Sequence, residues 1–295
     1  MRIPPEHALT LAAVIDEGTM EGAAIALGIS QPAVSQRIRA LESLTGQVML
    51  VRSRPVRATD AGEAVVRFAR QLAHLERDAV AALGMGNETA RTSLPIAVNS
   101  DSLSTWMLPP LVALAEHLPV TFDLHRDDQD FTERLLEQGV VVAAVTSRAV
   151  PIAGCRVVPL GSMRYTPIAT TAFRDRWFAG GVTNEALERA PLVDFDRRDD
   201  LQTRWLVARG IDPAKPPRHR VPASSDFADA IRMGLGWGQL LPFQMDDGIA
   251  AGRLHPLDDS HVEVPLYWQQ WNMRSDLLDA VADAVLEHAR AVLEQ

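Results

Sequence analysis

The stretch "ISQPAVSQRIRALESLTG", residues 29–46, has helical spacing with a proline near its start. Inside a helix a proline removes a backbone hydrogen bond and clashes with the preceding turn. In the first turn it costs nothing, because the amide there has no partner anyway. Ser30 is a suitable N-cap and Gly46 a suitable stop, so the spacing predicts a helix over about Gln31–Thr45 that starts around Pro32. Its apolar face is Val34, Ile38, Leu41 and Leu44; its other face opens with Gln31, Ser35, Gln36, Arg37 and Arg39. Upstream, Thr19 caps a helix over about Met20–Leu27 that ends at Gly28, and a first helix over about Pro5–Glu17 ends at Gly18. Two helices joined by the short turn Gly28–Ile29, the second with polar residues at its start, form a helix-turn-helix pattern. Such a helix enters the major groove N-terminus first, where Gln reads adenine and Arg reads guanine or grips phosphate. A helical hairpin in an ordinary core has the same spacing.

Charge separates these readings. The chain of 295 residues carries a net charge of −9, yet residues 30–70 hold 7 arginines against 3 acids. A local basic patch on an acidic protein suits nucleic acid, because the field at the contact surface decides binding. "VMLVRSRPVRATDAG", residues 48–62, has strand-like pieces around Pro55 and clusters Arg52, Arg54 and Arg57. It reads as a wing hairpin whose arginines reach the DNA backbone, or as a solvated loop.

Residues 23–62 closely resemble the DNA-binding domain of LysR-type transcriptional regulators. S-Q-P-A-V-S-Q-R-I-x-x-L-E, the small residues before the turn, and the T-x-A-G at Thr59–Gly62 all occur in order. The remainder resembles the arginine/lysine-responsive branch that controls basic amino-acid export. The matching stretches are "VNSDSLSTW", "GVVVAAVTS", "GCRVVPLGSMRY", "GLGWGQLLP" and "VPLYWQQW". The chain departs from that branch at Ser100, where alanine is expected, and in the looser acidic stretch "HRDDQD". The resemblance implies a winged helix-turn-helix, mainly α, then a linker helix, then an α/β effector domain of two lobes like the periplasmic binding proteins.

Thr59 caps a predicted helix to about Leu83, on which Ala61, Val65, Phe68, Leu72, Leu75, Ala79 and Ala82 recur at alternating spacings of four and three. That is an a/d seam, which wants a partner helix. Packing inside the chain is one answer; the resemblance implies a second copy, in a homodimer or homotetramer. The expected organisation is a DNA-binding domain over 1–60, a linker and dimerisation helix over 61–83, a polar hinge over 84–93 and an effector domain over 94–295. Lobe I takes about 94–162 and 266–295, and lobe II about 163–265, with crossings near Ser162–Arg164 and Glu263–Leu266.

Beyond the hinge, apolar strands alternate with helices, including a strand over 94–99 and one helix that follows it through Leu118, which implies a parallel sheet covered on both faces. Ligands of such sheets bind outside the strands' carboxyl ends. That selects Ser100–Thr105, Asp127–Asp130 and Thr146 in one lobe, and Asp196–Asp200 and Ser224–Asp226, including Ser225, in the other. With the resemblance, the expected effector is L-lysine or L-arginine. Ser100, Ser102 and Thr105 would take its carboxylate, and Asp101, Asp127 and Asp128 its cations. Trp106 is either a wall for the aliphatic stem or a core residue. Hydroxyls that merely cap helices and acids that are merely solvated are the plainer alternatives.

Other classes lack their signatures. The eight histidines show no H-x-x-x-H spacing, Cys155 stands alone, and neither a G-x-S-x-G elbow nor a phosphate loop occurs. No enzyme, metal or cofactor is expected. No apolar run approaches a membrane span, and no signal peptide is evident, so the expected location is cytoplasmic. The expected partners are double-stranded DNA, the effector, another copy of the chain and, as a candidate, RNA polymerase. A regulator of another pathway with a different effector, or a binding protein without gene control, are the remaining alternatives.

Overall fold

The computed structural model describes residues 2–51, 53–83, 91–126 and 129–295. The N-terminal unit is α1 (Pro5–Glu17), α2 (Met20–Leu27), α3 (Gln31–Thr45) and a hairpin of β1 (Leu50–Val51) and β2 (Arg57–Ala58). Thr19 and Ser30 accept hydrogen bonds from the amides of Gly22 and Ala33, which fixes where α2 and α3 begin. Between them Gly28 takes φ 64°, a left-handed conformation that L side chains avoid. Val34 packs with Val14, Ala23 and Ala24 and sets the angle between the two helices. Leu44, expected on the buried face, is exposed, because the core beneath α3 ends at Leu41.

The wing is tied to both flanking helices. Glu42 accepts from the Met49 amide at 2.9 Å, and the Thr59 hydroxyl donates to the Val48 carbonyl at 2.6 Å. Helix α4 (Asp60–Ala82) then starts with Gly62 pressed on the Met49 carbonyl: a Cβ there would sit 2.1 Å from that oxygen.

The apolar seam of α4 does not stand free along its length. Val65 is buried with Val66 and Ala69 against Ala8, Leu11 and Ala12 of α1. Val65 therefore leaves the expected dimer seam, because it serves the core of its own chain. Phe68, Leu75 and Ala79 are exposed and Leu72 is half-buried.

The remaining elements are β3 (Thr92–Val98), α5 (Ser100–Thr105), α6 (Leu108–His117), β4 (Val120–Arg126), α7 (Gln129–Glu137), β5 (Ala143–Thr146), β6 (Cys155–Thr170) and α8 (Thr171–Trp177). They continue as α9 (Asn184–Leu187), β7 (Leu192–Asp194), α10 (Leu201–Ala208), β8 (Arg218–Arg220), α11 (Ser224–Arg232) and β9 (Gly238–Leu240). Last come α12 (Pro242–Ala250), β10 (Leu254–Pro256), β11 (Val262–Trp271) and α13 (Asp276–Val292). Of the expected hinge, residues 84–90 lie outside the described residues, and Thr92 and Ser93 already belong to β3. The single helix expected through Leu118 is two helices, broken at Trp106–Met107. Pro109 and Pro110 follow, and prolines disfavour a helical residue before them and belong at a helix start.

Strand β3 runs parallel to β4 and β5, and β11 pairs antiparallel with β5. The long strands β6 and β11 pair from Cys155↔Trp271 to Tyr165↔Val262, with a register slip between Leu266 and Tyr267. The far end of β6 carries β9 and β10. These two strands therefore pass from one lobe into the other. Lobe I is cored by β3 and β5 with Trp268, Trp271 and the apolar face of α13. Lobe II has one core around Trp205 and Trp237 and another around Val193, Phe227 and Leu240.

The linker helix also grips lobe I. Arg67 and Arg70 donate to the carbonyls of Glu137, the last residue of α7, and Gln138, the next, at 3.3 and 2.8 Å. Cations suit the partial negative charge of a helix C-terminus. Arg70 also pairs with Asp16 of α1, and His74 meets the ring of Trp271 edge-on.

Candidate functional site

The first surface of interest is the start of α3 with its wing. Gln31, Pro32, Gln36 and Arg39 are exposed at its open face, and Ser35 and Arg37 are half-buried. Arg37 leans back to the Thr10 hydroxyl at 3.2 Å, and Arg39 to the Ser35 carbonyl at 3.2 Å. Arg54 and Arg57 are exposed on the wing, where Arg57 pairs with Val51 across the hairpin. Arg52 lies outside the described residues.

The second is a cavity of about 310 Å³ between the lobes. Lobe I contributes Asn99, Ser100 and Asp101, which follow the carboxyl end of β3. The crossing strands contribute Tyr165 and Val264. Lobe II contributes Phe195, Asp196 and Arg198–Leu201 from the segment after β7, with Arg204, Phe227, Gln239 and Gln244. Of the nine described cavity residues that carry a charge or an aromatic ring, four are aspartates: Asp101, Asp196, Asp199 and Asp200.

Asp101 ties the lobes together. Its Oδ2 accepts from the Tyr165 hydroxyl at 2.7 Å, and its Oδ1 from the Ser224 hydroxyl at 2.5 Å. Ser224 in turn accepts from Ser104 at 2.9 Å and from the Gln244 amide at 3.1 Å. Burial first, and then the Asp101 carboxylate, hold the Tyr165 phenol well above its usual value, so it remains a donor. Opposite, Asp199 is pushed above the usual carboxylate range by burial, opposed by the amides of Phe195 and Leu201 at 2.8 and 3.0 Å. Asp196 is held by the amides of Arg198 and Asp199. Asp200 pairs with Arg204 at 3.1 Å. Beneath this loop the buried Asp194 takes both its oxygens to the Arg218 guanidinium, at 3.0 and 2.7 Å, which braces the end of β7.

One buried polar side chain of the cavity lacks a hydrogen-bond partner among the described residues. Gln239 is 1% exposed, and neither its Oε1 nor its Nε2 has a hydrogen-bond partner among the described residues. An unsatisfied buried polar group costs roughly 1–3 kcal/mol.

The residues anticipated for the effector divide sharply. Ser100 and Asp101 line the cavity, and Ser224 reaches it through Asp101. Ser102 is fully buried and off the cavity, and the Thr105 hydroxyl is spent on the Asp101 carbonyl at 2.6 Å. Trp106 belongs to the lobe I core. Thr146 is buried and accepts from Gln269 at 3.3 Å, while Ser225 is exposed and off the cavity wall. A helix of six residues turns its successive side chains in different directions, so only its first turn faces the cleft. Asp127 and Asp128 lie outside the described residues. Sequence reasoning missed Asn99, Tyr165, Phe195, Leu201, Arg204, Phe227, Gln239, Gln244 and Val264. Tyr165 directly follows one anticipated crossing and Val264 lies within the other, and Gln239 is a polar residue inside the apolar run "GWGQLL".

Among the described residues no group of three or more His, Cys, Asp or Glu could hold a metal ion, and no helix is long and apolar enough to cross a membrane. A winged helix-turn-helix joined by a long helix to a two-lobed α/β domain with a cavity at its crossing is the build of a ligand-responsive transcription regulator. The chain belongs to the LysR family. Residues 5–63 match the family described as bacterial regulatory helix-turn-helix protein, lysR family, and residues 87–293 match the LysR substrate binding domain. It is 42% identical over 291 residues to the lysine export transcriptional regulatory protein LysG of Corynebacterium efficiens, covering 98% of this chain and 99% of that one. The crystal structure of ArgP from Mycobacterium tuberculosis superposes with a TM-score of 0.91 at 39% identity, covering 100% of this chain and 99% of that one. Full-length LysG from Corynebacterium glutamicum with bound effector Arg gives 0.87 at 39% identity, covering 99% and 100%.

Proposed function

We propose that this regulator takes a basic amino acid, L-lysine or L-arginine, in the cavity between its lobes and thereby controls genes of amino-acid export or metabolism. The observation that carries the reading is the cavity's charge: four aspartates against Arg198 and Arg204, the latter paired with Asp200. A cation with an aliphatic stem suits that wall, and the relatives named for lysine export and solved with arginine support the choice. Asp101 and Asp199 receive the cationic groups, and Phe195 and Phe227 flank the stem. Gln31, Pro32, Ser35, Gln36, Arg37 and Arg39 meet the major groove, with Arg52, Arg54 and Arg57 on the adjoining backbone. Phe68, Leu72, Leu75 and Ala79 meet a second copy. The domain limits anticipated above, a cytoplasmic location and contact with RNA polymerase belong to the same proposal.

Titration calorimetry of the full chain tests it. A charge-assisted hydrogen bond is worth about 1.5–3 kcal/mol, so lysine and arginine should each outbind norleucine, which lacks the distal cation, by at least about tenfold. Equal binding of lysine and norleucine contradicts the basic amino-acid reading and leaves the family assignment intact.

A further inference from the structure

The proposed effector is a zwitterion, and its α-carboxylate must find donors in a cavity rich in carboxylates that only accept. Three of the cavity's donors are committed to the protein itself. The Tyr165 hydroxyl serves Asp101, the Gln244 amide serves Ser224, and the Arg204 Nε serves Asp200. Gln239 is different. It sits in the middle of β9, on the same strand face as Trp237, whose ring packs 5.1 Å from Trp205 of α10. Its neighbours Trp237, Gly238, Leu240 and Leu241 are all buried, so a leucine would serve the fold better at this position. The glutamine instead brings a buried, wholly unpartnered amide to the cavity wall. Buried polar groups in folded proteins are normally satisfied, and each exception calls for an explanation.

We infer that Gln239 is a specificity-determining residue of the effector site, its Nε2 donating to the α-carboxylate of the bound amino acid. The inference rests on the basic amino-acid reading. The division of labour is then clear: the aspartates select the cationic groups, and Gln239 distinguishes an amino acid from other cations of the same length. The amide is neutral, so it accepts the carboxylate without adding a positive charge that would repel the ligand's distal cation.

The test uses the full chain, with Gln239→Leu and Gln239→Met as independent removals of the amide at similar volume. Titration calorimetry measures L-lysine directly and L-lysinamide, which lacks the carboxylate, by competition against lysine. Thermal melting without ligand supplies the structural control. The expected result is that the variants melt at or above the temperature of the unsubstituted chain, while lysine binds at least tenfold more weakly. The preference for lysine over lysinamide, at least tenfold in the unsubstituted chain, should shrink below about threefold. Unchanged lysine affinity in both variants overturns the inference, and so does an unchanged lysine-to-lysinamide ratio. Lower melting temperatures that track the affinity loss in both variants would make Gln239 a structural residue and also overturn it. If the unsubstituted chain binds neither lysine nor arginine, the reading beneath the inference fails, and the inference with it.

Discussion

The DNA-binding end and the effector cleft are built by opposite strategies. The N-terminal unit folds from short-range signals: a glycine stop and an apolar face for each helix, capping side chains at the starts of α2 and α3, and Thr59 closing the wing onto the next helix. The cleft draws residues from Asn99 to Val264 and assembles them only when two long strands cross between lobes. At the first end Gln31, Gln36, Arg54 and Arg57 are exposed, while Arg37 leans back onto Thr10. At the second, Ser224 donates to Asp101, and Asp199 accepts from the amides of Phe195 and Leu201. A surface that reads a large partner can be laid out locally, whereas a pocket that encloses a small one must be shared between elements that can move apart.

The contrast breaks most severely if a local change at one end disturbs the other. Gly62→Ala would force a methyl into the Met49 carbonyl. We expect a loss of about 3 kcal/mol from the N-terminal unit, at the upper end of overpacking costs, and lost DNA binding with effector affinity retained. Thermal melting and calorimetry on the same sample would read both. Next, Leu72→Asp combined with Phe68→Asp should cost about 2–3 kcal/mol if the seam is dry, yielding monomers by light scattering while the lobes stay folded. An intact oligomer would place the interface elsewhere.

The cleft answers to charge. Asp101→Asn removes the carboxylate that Tyr165 and Ser224 share, and should weaken effector binding by roughly tenfold to a hundredfold, the span of a charge-assisted hydrogen bond. DNA binding without effector should persist in a mobility-shift assay. A smaller effect concerns pH. Asp199 is raised by burial, so the folded protein holds its proton to higher pH than an ordinary carboxylate. A cationic effector binds best to the ionised form. Affinity should therefore fall as pH drops through that raised value, beginning at higher pH than for an exposed aspartate, and Asp199→Asn should flatten the profile. Smallest, Arg54→Ala or Arg57→Ala should weaken all DNA sequences alike and reduce the slope of log affinity against log salt by about one unit each.

How much was legible in the chain follows the same division. The limits of α1, α2 and α3 were readable because caps and stops act within a turn of the residue that carries them. Asp101 and Asp196–Asp200 were accessible as cleft residues because both follow strand carboxyl ends. Tyr165 and Val264 were not, since which face of β6 and β11 meets the cavity depends on their register with each other. Trp106 was open as either a cleft wall or a core residue, and the helix break before Pro109 turns it into the lobe I core. Val65 fitted a dimer seam by spacing, yet α1 lies over that turn of α4 and claims it. Periodicity identifies an apolar stripe without saying what covers it.

The most direct measurement is a footprint of the full chain on the DNA upstream of its own gene, titrated with lysine, arginine and norleucine. The account predicts a dyad-related footprint whose extent or midpoint shifts with lysine or arginine, does not shift with norleucine, and stops responding in Asp101→Asn. A footprint indifferent to all three ligands, or no footprint at all, would contradict it.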